Sequence, residues 1–233
     1  MPSSSPRRER PVRPVDAASL VIVRGHGRDA EVLMGKRRSA SSFMPGWYVF
    51  PGGRVDRADA AAALGAALRE DVAARLMRRT GPAGAVALAM AAIRETYEET
   101  GLLVARSATP GAPAPAAGAA APLARACASA GAVPALAALD YIARAITPTS
   151  SPKRFNARFF LIDAAHARGR LGGSGELVDL RWVPIGARSD LPIADVTEFV
   201  LDRAVRALSG SADPARRTPV LCYVNGTSRI LHE

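Results

Sequence analysis

The stretch "RETYEETG", residues 94–101, decides how this chain is read. It places Glu95, Glu98 and Glu99 within five positions. The residues before it, "VALAMAA" (86–92), are good helix formers. The spacing predicts a helix over about residues 84–100, with Gly101 where a terminating glycine belongs. Positions i, i+3 and i+4 of a helix share one face. Three like charges there repel one another. Either they are solvated, with Arg94 and Glu98 forming an ordinary i,i+4 pair worth about 0.3 kcal/mol, or they exist to hold a cation.

The rest of the chain bounds the choice. Its 233 residues are enough for one domain with a real core. Apolar content of 48% and charged content of 22% are ordinary for a globular protein. Cys127 and Cys222 make no disulfide framework and no C-x-x-C, so a cytoplasmic location is expected. His26, His166 and His232 are scattered and suggest no zinc site. No apolar run approaches the length of a transmembrane helix, so no membrane is expected as a partner. The start, "MPSSSPRRERPVRPV", lacks the apolar core of a secretory signal. Residues 1–16 read as a disordered basic tail, and 17–233 as a single domain.

The net charge is +10, almost all of it arginine; the only lysines are Lys36 and Lys153. Such a surface concentrates anionic ligands, phosphates included. Aromatics are only 5% and are not interleaved with the arginines, which disfavours a nucleic-acid stacking surface. Oligomeric state is not legible.

Along the chain, "SLVIVR" (19–24) and "AEVLMGKR" (30–37) read as a hairpin across a Gly-rich turn. "GWYVFPGG" (46–53) reads as a third strand ending in a turn. Asp56 or Asp59 then caps a long helix in which Leu64, Leu68, Val72 and Leu76 recur every four residues. "LLVA" after Gly101 is strand-like, residues 106–135 are an Ala/Pro/Gly-rich insert, and 106–130 is the internal segment expected to be most mobile. "ALAALDYIARAI" is predicted helical, "RFFLID" and "LVDLRWVPI" strands, 193–208 a helix and "PVLCYVNG" a last strand. Strands and helices mix without a βαβ rhythm. The expected class is α+β with a mixed sheet.

"FPGGRVD" and "RETYEETGLL" together resemble the Nudix hydrolases, whose pattern is G-x5-E-x7-R-E-U-x-E-E-x-G-U with U aliphatic. Arg94, Glu95, Glu98, Glu99, Gly101 and Leu102 fall on pattern positions. Thr96 stands where an aliphatic residue is usual. After Gly53 and five intervening residues comes Asp59 instead of Glu, and 34 residues instead of seven separate it from Arg94. The box is thus split by an insert. The interrupted box, with "PKRFNARFFL" and "ELVDLRWVP" downstream, resembles the acyl-coenzyme A diphosphatase-like branch; Ser42 departs from the coenzyme A motif of that branch, which has Arg there. The resemblance implies a Nudix-like α/β/α sandwich with a mixed sheet and helical inserts at about 60–84 and 106–135.

A diphosphate resists attack because negative charge surrounds it; hydrolysis needs cations on its oxygens and a water in line. Hard ions such as Mg²⁺ or Mn²⁺ take carboxylate and carbonyl oxygens. The resemblance therefore implies Glu95, Glu98 and Glu99 as metal ligands, Glu98 and Glu99 being catalytic with them, a carbonyl at Gly52 or Gly53 as a further oxygen, and Arg94 as the partner that orients a carboxylate. Glu176 in "GGSGELVD" is one candidate general base and Asp179 the other. Arg37, Arg38 and Arg154 are candidate phosphate contacts, with Gly52 and Phe155 beside the substrate, while Trp182 is expected in the core. The expected partner is a small-molecule diphosphate, coenzyme A or acyl-coenzyme A favoured. ADP-ribose, dinucleotides and capped RNA are alternatives, as is a non-catalytic Nudix-fold regulator binding nucleic acid.

Overall fold

The apolar run after Ala18 is the spine of the protein. In the computed structural model, which describes residues 12–41, 43–63, 65–109, 122–186, 191–211 and 217–233, strand β1 spans Val15–Arg24. Leu20 and Ile22 point to one side of it and Val21 and Val23 to the other, all essentially inaccessible to water. A strand buried on both faces has no polar alternation. That is why "LVIV" reads as a continuous apolar run.

β2 (Glu31–Arg37) and β4 (Gly52–Arg54) pair antiparallel with β1, β3 (Tyr48–Val49) pairs with β2, and β8 (Phe155–Asp163) runs parallel to β1. β7 (Asp140–Ile146), β10 (Leu177–Pro184), β11 (Pro219–Val224) and β12 (Thr227–His232) complete a mixed sheet of order β10-β2-β1-β8-β7-β11-β12. β5 (Leu103–Ser107) lies between β6 (Ala132–Pro134) and β9 (Ala167–Arg168) in a smaller sheet.

Helices cover both faces of the large sheet. Helix α2 (Pro82–Thr100) packs Leu88, Met90 and Ile93 against Leu20 and Ile22. Helix α4 (Asp195–Leu208) packs Phe199, Val200 and Leu201 with Val21 and Val23. The fold is α+β, an α/β/α sandwich. α2 begins with Pro82 at its first turn, where no amide donor is missed, and ends at Gly101 with φ 74°. Among the described residues no helix is long and apolar enough to cross a membrane.

Several expectations are corrected. The predicted long helix after Asp59 is a short 3-10 turn at Ala61–Ala63 and then α1 (Glu70–Met77). Of its stripe, Val72 and Leu76 are buried and Leu68 is half-buried; Leu64 lies outside the described residues. "DYIARAI" is strand β7, not helix: pairing with β8 along Tyr141↔Phe160 and Arg144↔Arg158 outweighs the helix propensity of its alanines. The strand expected over 46–53 breaks at Pro51, which has no amide for a ladder. The Ala/Pro-rich segment contains helix α3 (Pro122–Ser129) and β6. Residues 110–121, most of the expected basic tail (1–11), and Ser42 are outside the described residues. Thr96 fits an apolar position because its hydroxyl donates to the Ala92 carbonyl at 2.7 Å, leaving the methyl to pack.

Candidate active site

The split box is rejoined in space. Asp59 lies 35 positions before Arg94 yet accepts from its Nε at 2.7 Å and from Nη2 at 3.2 Å. Nη2 also donates to the Arg54 carbonyl at 2.9 Å, and Nη1 donates to Glu95 at 2.8 Å and Glu98 at 3.2 Å. These five bonds satisfy all the guanidinium donors. Asp59 is 1% exposed, and the Asp56 amide also donates to its Oδ2 at 2.7 Å. Burial opposes the charge on Arg94, but Asp59 and Glu95 outweigh it, and its pKa is raised. Asp59 is therefore not the cap of a long helix. It anchors the arginine that spaces two of the three carboxylates.

Glu99 is turned inward. It is 2% exposed, and its Oε2 accepts the Gly52 amide at 2.9 Å. Burial pushes its carboxyl up to about 8; the Gly52 hydrogen bond opposes this, and the charges of Glu95 and Glu176 add to it. Burial also raises Glu95, against the hydrogen bond from Arg94. Gly53 sits on the same side: a β-carbon there would lie 2.3 Å from the Glu95 carboxyl carbon. Only glycine lets the loop come this close to the carboxylates.

The loop that carries Glu176 is tied to the end of α2. Gly172 donates to the Thr100 carbonyl and Ser174 to the Glu98 carbonyl, both at 2.8 Å. These are carbonyls a helix end leaves without partners. At Gly173 a β-carbon would stand 2.4 Å from the Glu99 carbonyl oxygen. Glu176 itself is half-exposed and meets Arg37 Nη2 at 3.4 Å. Gly173→Ala is expected to push this loop off the helix and lower turnover roughly 10- to 100-fold while KM changes little. Steady-state kinetics on a variant with wild-type circular dichroism checks this; unchanged kcat would show that the tie does not position Glu176.

A cleft of about 820 Å³ opens from these residues along the α4 face of the sheet. Of the residues expected at the site, Gly52, Gly53, Glu95, Glu176, Arg37 and Phe155 line it, whereas Arg94, Glu98 and Glu99 are not among its lining residues. Arg38 and Arg154 are not among its lining residues. Arg38 is exposed, and Arg154 donates Nε to the Thr147 carbonyl at 3.1 Å and Nη1 to the Val12 carbonyl at 2.7 Å. Asp179 is outside the cleft too. It accepts from Tyr48 and Arg181, which lower its pKa, so Glu176 is the better placed of the two candidate bases. Trp182 is partly buried against the core, with the Arg24 guanidinium 4.4 Å above its ring.

Sequence reasoning missed Phe43, Trp47, Arg54, Asp195 and Tyr223, which also line the cleft. Phe43 meets Phe155 edge to face with centroids 5.1 Å apart. Arg54 lies 5.8 Å from the Phe155 ring. A tryptophan directly after the turn residues Pro45-Gly46 was the available signal.

Among the described residues no three acidic, His or Cys side chains form a ready-made metal cage. Arg94 stands between Glu95 and Glu98, and Glu99 faces Gly52. The donor set is nevertheless all hard oxygen, and the raised pKa values of Glu95 and Glu99 are what a divalent cation would relieve.

Among solved structures, the chain is similar to a NUDIX hydrolase from Alicyclobacillus acidocaldarius, with 32% identity over 84% of this chain and 96% of that one and a TM-score of 0.62. The chain belongs to the Nudix hydrolases. It is a hydrolase of the class acting on phosphoric anhydrides. This Nudix hydrolase also resembles the NUDIX domain of Shewanella oneidensis NrtR, solved with ADP ribose, at 12% identity over 84% and 90% of the two chains and a TM-score of 0.49. A NUDIX hydrolase from Listeria monocytogenes aligns at 14% identity over 85% and 97%, with a TM-score of 0.48. No family model and no curated protein matches the chain.

Proposed function

We propose that this Nudix hydrolase is a metal-dependent diphosphatase that cleaves a nucleoside diphosphate-linked substrate, coenzyme A or acyl-coenzyme A being favoured. The observation that carries the reading is the carboxylate group of α2, held by Arg94 and the Gly52-Gly53 loop, whose member Glu95 lines an 820 Å³ cleft with Arg37, Arg54 and Lys153 on its walls. Glu95, Glu98, Glu99 and the Gly53 carbonyl would hold Mg²⁺ or Mn²⁺. The ion, when bound, supplies positive charge to the diphosphate oxygens. Arg37 binds a phosphate oxygen through its guanidinium. A carboxylate oxygen of Glu176 takes the proton of the attacking water. Arg94 keeps Glu95 and Glu98 spaced. With coenzyme A the products are 3′,5′-ADP and phosphopantetheine. A panel of coenzyme A, acyl-coenzyme A, ADP-ribose and dinucleotides with Mg²⁺ or Mn²⁺, read by product mass, tests the reading. No hydrolysis of any diphosphate would sink it.

The 3′-phosphate of coenzyme A makes its adenylate end unusually anionic. Arg54 and Lys153, and not Arg38 and Arg154, are cations that line the cleft. Dephospho-coenzyme A is expected to be the poorer substrate, by roughly ten- to a hundredfold in kcat/KM, as for loss of one charge-assisted contact. Arg54→Ala should narrow the gap. Equal efficiency on the two substrates would exclude coenzyme A and leave the diphosphatase reading intact.

Metal binding should depend on pH with a definite sign. Glu99 has a folded pKa of about 8 against 4.5 for the free side chain. Between these values the folded, metal-free protein holds a proton that the unfolded chain has lost. This contribution to stability is complete below the lower value and fades as pH rises through the upper one. An ion bound at Glu99 must displace that proton. Stabilisation by Mg²⁺ in thermal unfolding should therefore grow from about pH 6 to about pH 9. A constant Mg²⁺ effect across that range would contradict the assignment of Glu99 as a ligand.

A further inference from the structure

The two edges of the large sheet are built differently. At one edge, the register of β10 with β2 shifts between Val178 and Arg181, Asp179 takes φ 51°, and Pro184 ends the strand. Bulges, charges and proline keep an edge from pairing with another chain. The other edge, β12, has no bulge and no proline. Its six residues, Thr227–His232, pair with β11 without a shift, and all six are exposed. Ile230 is 47% and Leu231 55% exposed, and consecutive strand residues point to opposite faces. The strand is also held at both ends. Asn225 and Gly226, with φ of 51° and 81°, make the tight hairpin turn before it. After it, Glu233 and Thr218 exchange two backbone bonds, at 2.8 and 3.0 Å. The Glu233 carboxylate, 9% exposed, accepts from Arg79 and Arg144 at 2.7 Å each.

The pairing parity shows which backbone groups are open. Antiparallel neighbours alternate between pairs that exchange both bonds and pairs that exchange none. Thr218 and Glu233 exchange both, so Leu231, Arg229 and Thr227 also turn their amides and carbonyls toward β11. Ser228, Ile230 and His232 turn theirs outward, where the sheet ends. We propose that this edge pairs with the same edge of a second copy of this chain, antiparallel, about a two-fold axis at Ile230. Ile230 then meets its own mate, and Ser228 meets the partner's His232. Three open donors on each strand find acceptors on the other. Any slide by one repeat leaves one of the three unmatched. The same register sets Arg229 opposite the partner's Leu231, so the two arginines do not face each other directly. An edge self-complementary about its middle residue fits a copy of itself. The pair is closed, because it consumes both β12 edges and leaves the two bulged β10 edges outermost. This interface is independent of the substrate reading.

Sedimentation equilibrium of the full chain tests it. An interface of one strand pair is small, below about 1,200 Å² in total, so a reversible dimer with a micromolar dissociation constant is expected. Ile230→Pro removes an outward amide while leaving every bond to β11, and proline is tolerated on the open side of an edge strand. Ile230→Lys puts two like charges face to face on the axis. Each variant should raise the dissociation constant roughly tenfold or more. Ile230→Lys should keep the wild-type unfolding temperature in dilute solution, where both are monomers. Val178→Lys, at the opposite edge, should leave the dimer intact. The register has its own readout, in a Cys222→Ser background with oxidised glutathione. Ile230→Cys should form a disulfide between copies, because directly opposed residues stand about 5.5 Å apart between Cα atoms. Ser228→Cys, facing the partner's His232, should not. A wild type that stays monomeric up to about 300 μM, as it would if the edge received a strand of another protein, would overturn the proposal. So would a dimer that survives both Ile230→Pro and Ile230→Lys, a dimer lost in Val178→Lys, or equal cross-linking of Ile230→Cys and Ser228→Cys.

Discussion

Glu99→Gln is expected to reduce turnover by roughly a hundred- to ten-thousandfold while leaving the fold as stable as before or more so. Replacing the carboxylate removes one charge of the ion site and almost no volume. If about 3–5 kcal/mol of transition-state charge stabilisation depends on the ion's placement, the rate falls by that factor. Stability should move the other way because the buried carboxyl, 2% exposed and raised to about 8, already favours its neutral form. A glutamine side chain can still accept the Gly52 amide through its carbonyl oxygen. Glu98→Gln should lose activity similarly. Its carboxylate is more exposed, at 35%, and its bond from Arg94 survives in the amide oxygen. Kinetics at saturating Mg²⁺, paired with thermal unfolding in metal-free buffer, separate the two effects. Near-wild-type rates in either variant would remove that residue from the ion site.

Asp59→Ala should be the most destabilising single change at the site. The pair it breaks is buried, with Asp59 at 1% and Arg94 at 15% exposure. Removing one partner leaves a guanidinium short of water and of two hydrogen bonds. Such losses cost about 3–5 kcal/mol in fully buried pairs, and the slight exposure of Arg94 places this one near the lower end, about 3 kcal/mol. In a chain of this size that lowers the unfolding temperature by roughly 6–12 °C. Activity should fall with it, because Arg94 then no longer holds Glu95 and Glu98 in their present spacing. A shift of less than about 2 °C would mean that the pair behaves as an exposed one, worth under about 1 kcal/mol.

The sequence by itself determined the parts of this protein that are local. The helix of Arg94–Gly101 was legible because its formers, its three glutamates and its terminating glycine lie within reach of one another along the chain. The same holds for the β1–β2 hairpin, for α4 and for the glycines that let the loop approach Glu95. Family membership followed from those residues too. Only the tertiary structure decided what lies across long separations. "DYIARAI" became a strand because β8 was there to pair with it. Asp59 acquired its role because the insert folds out and back, bringing it to Arg94 across 35 positions. Arg38 and Arg154 left the site, and Arg54, Asp195 and Tyr223 entered it, because a side chain's direction is set by strand register and by neighbours distant in sequence. Propensity, caps and close-spaced charge act over a few residues, and one chain displays them. Which carboxylate meets which guanidinium is decided by packing, and packing exists only after the sheet has closed.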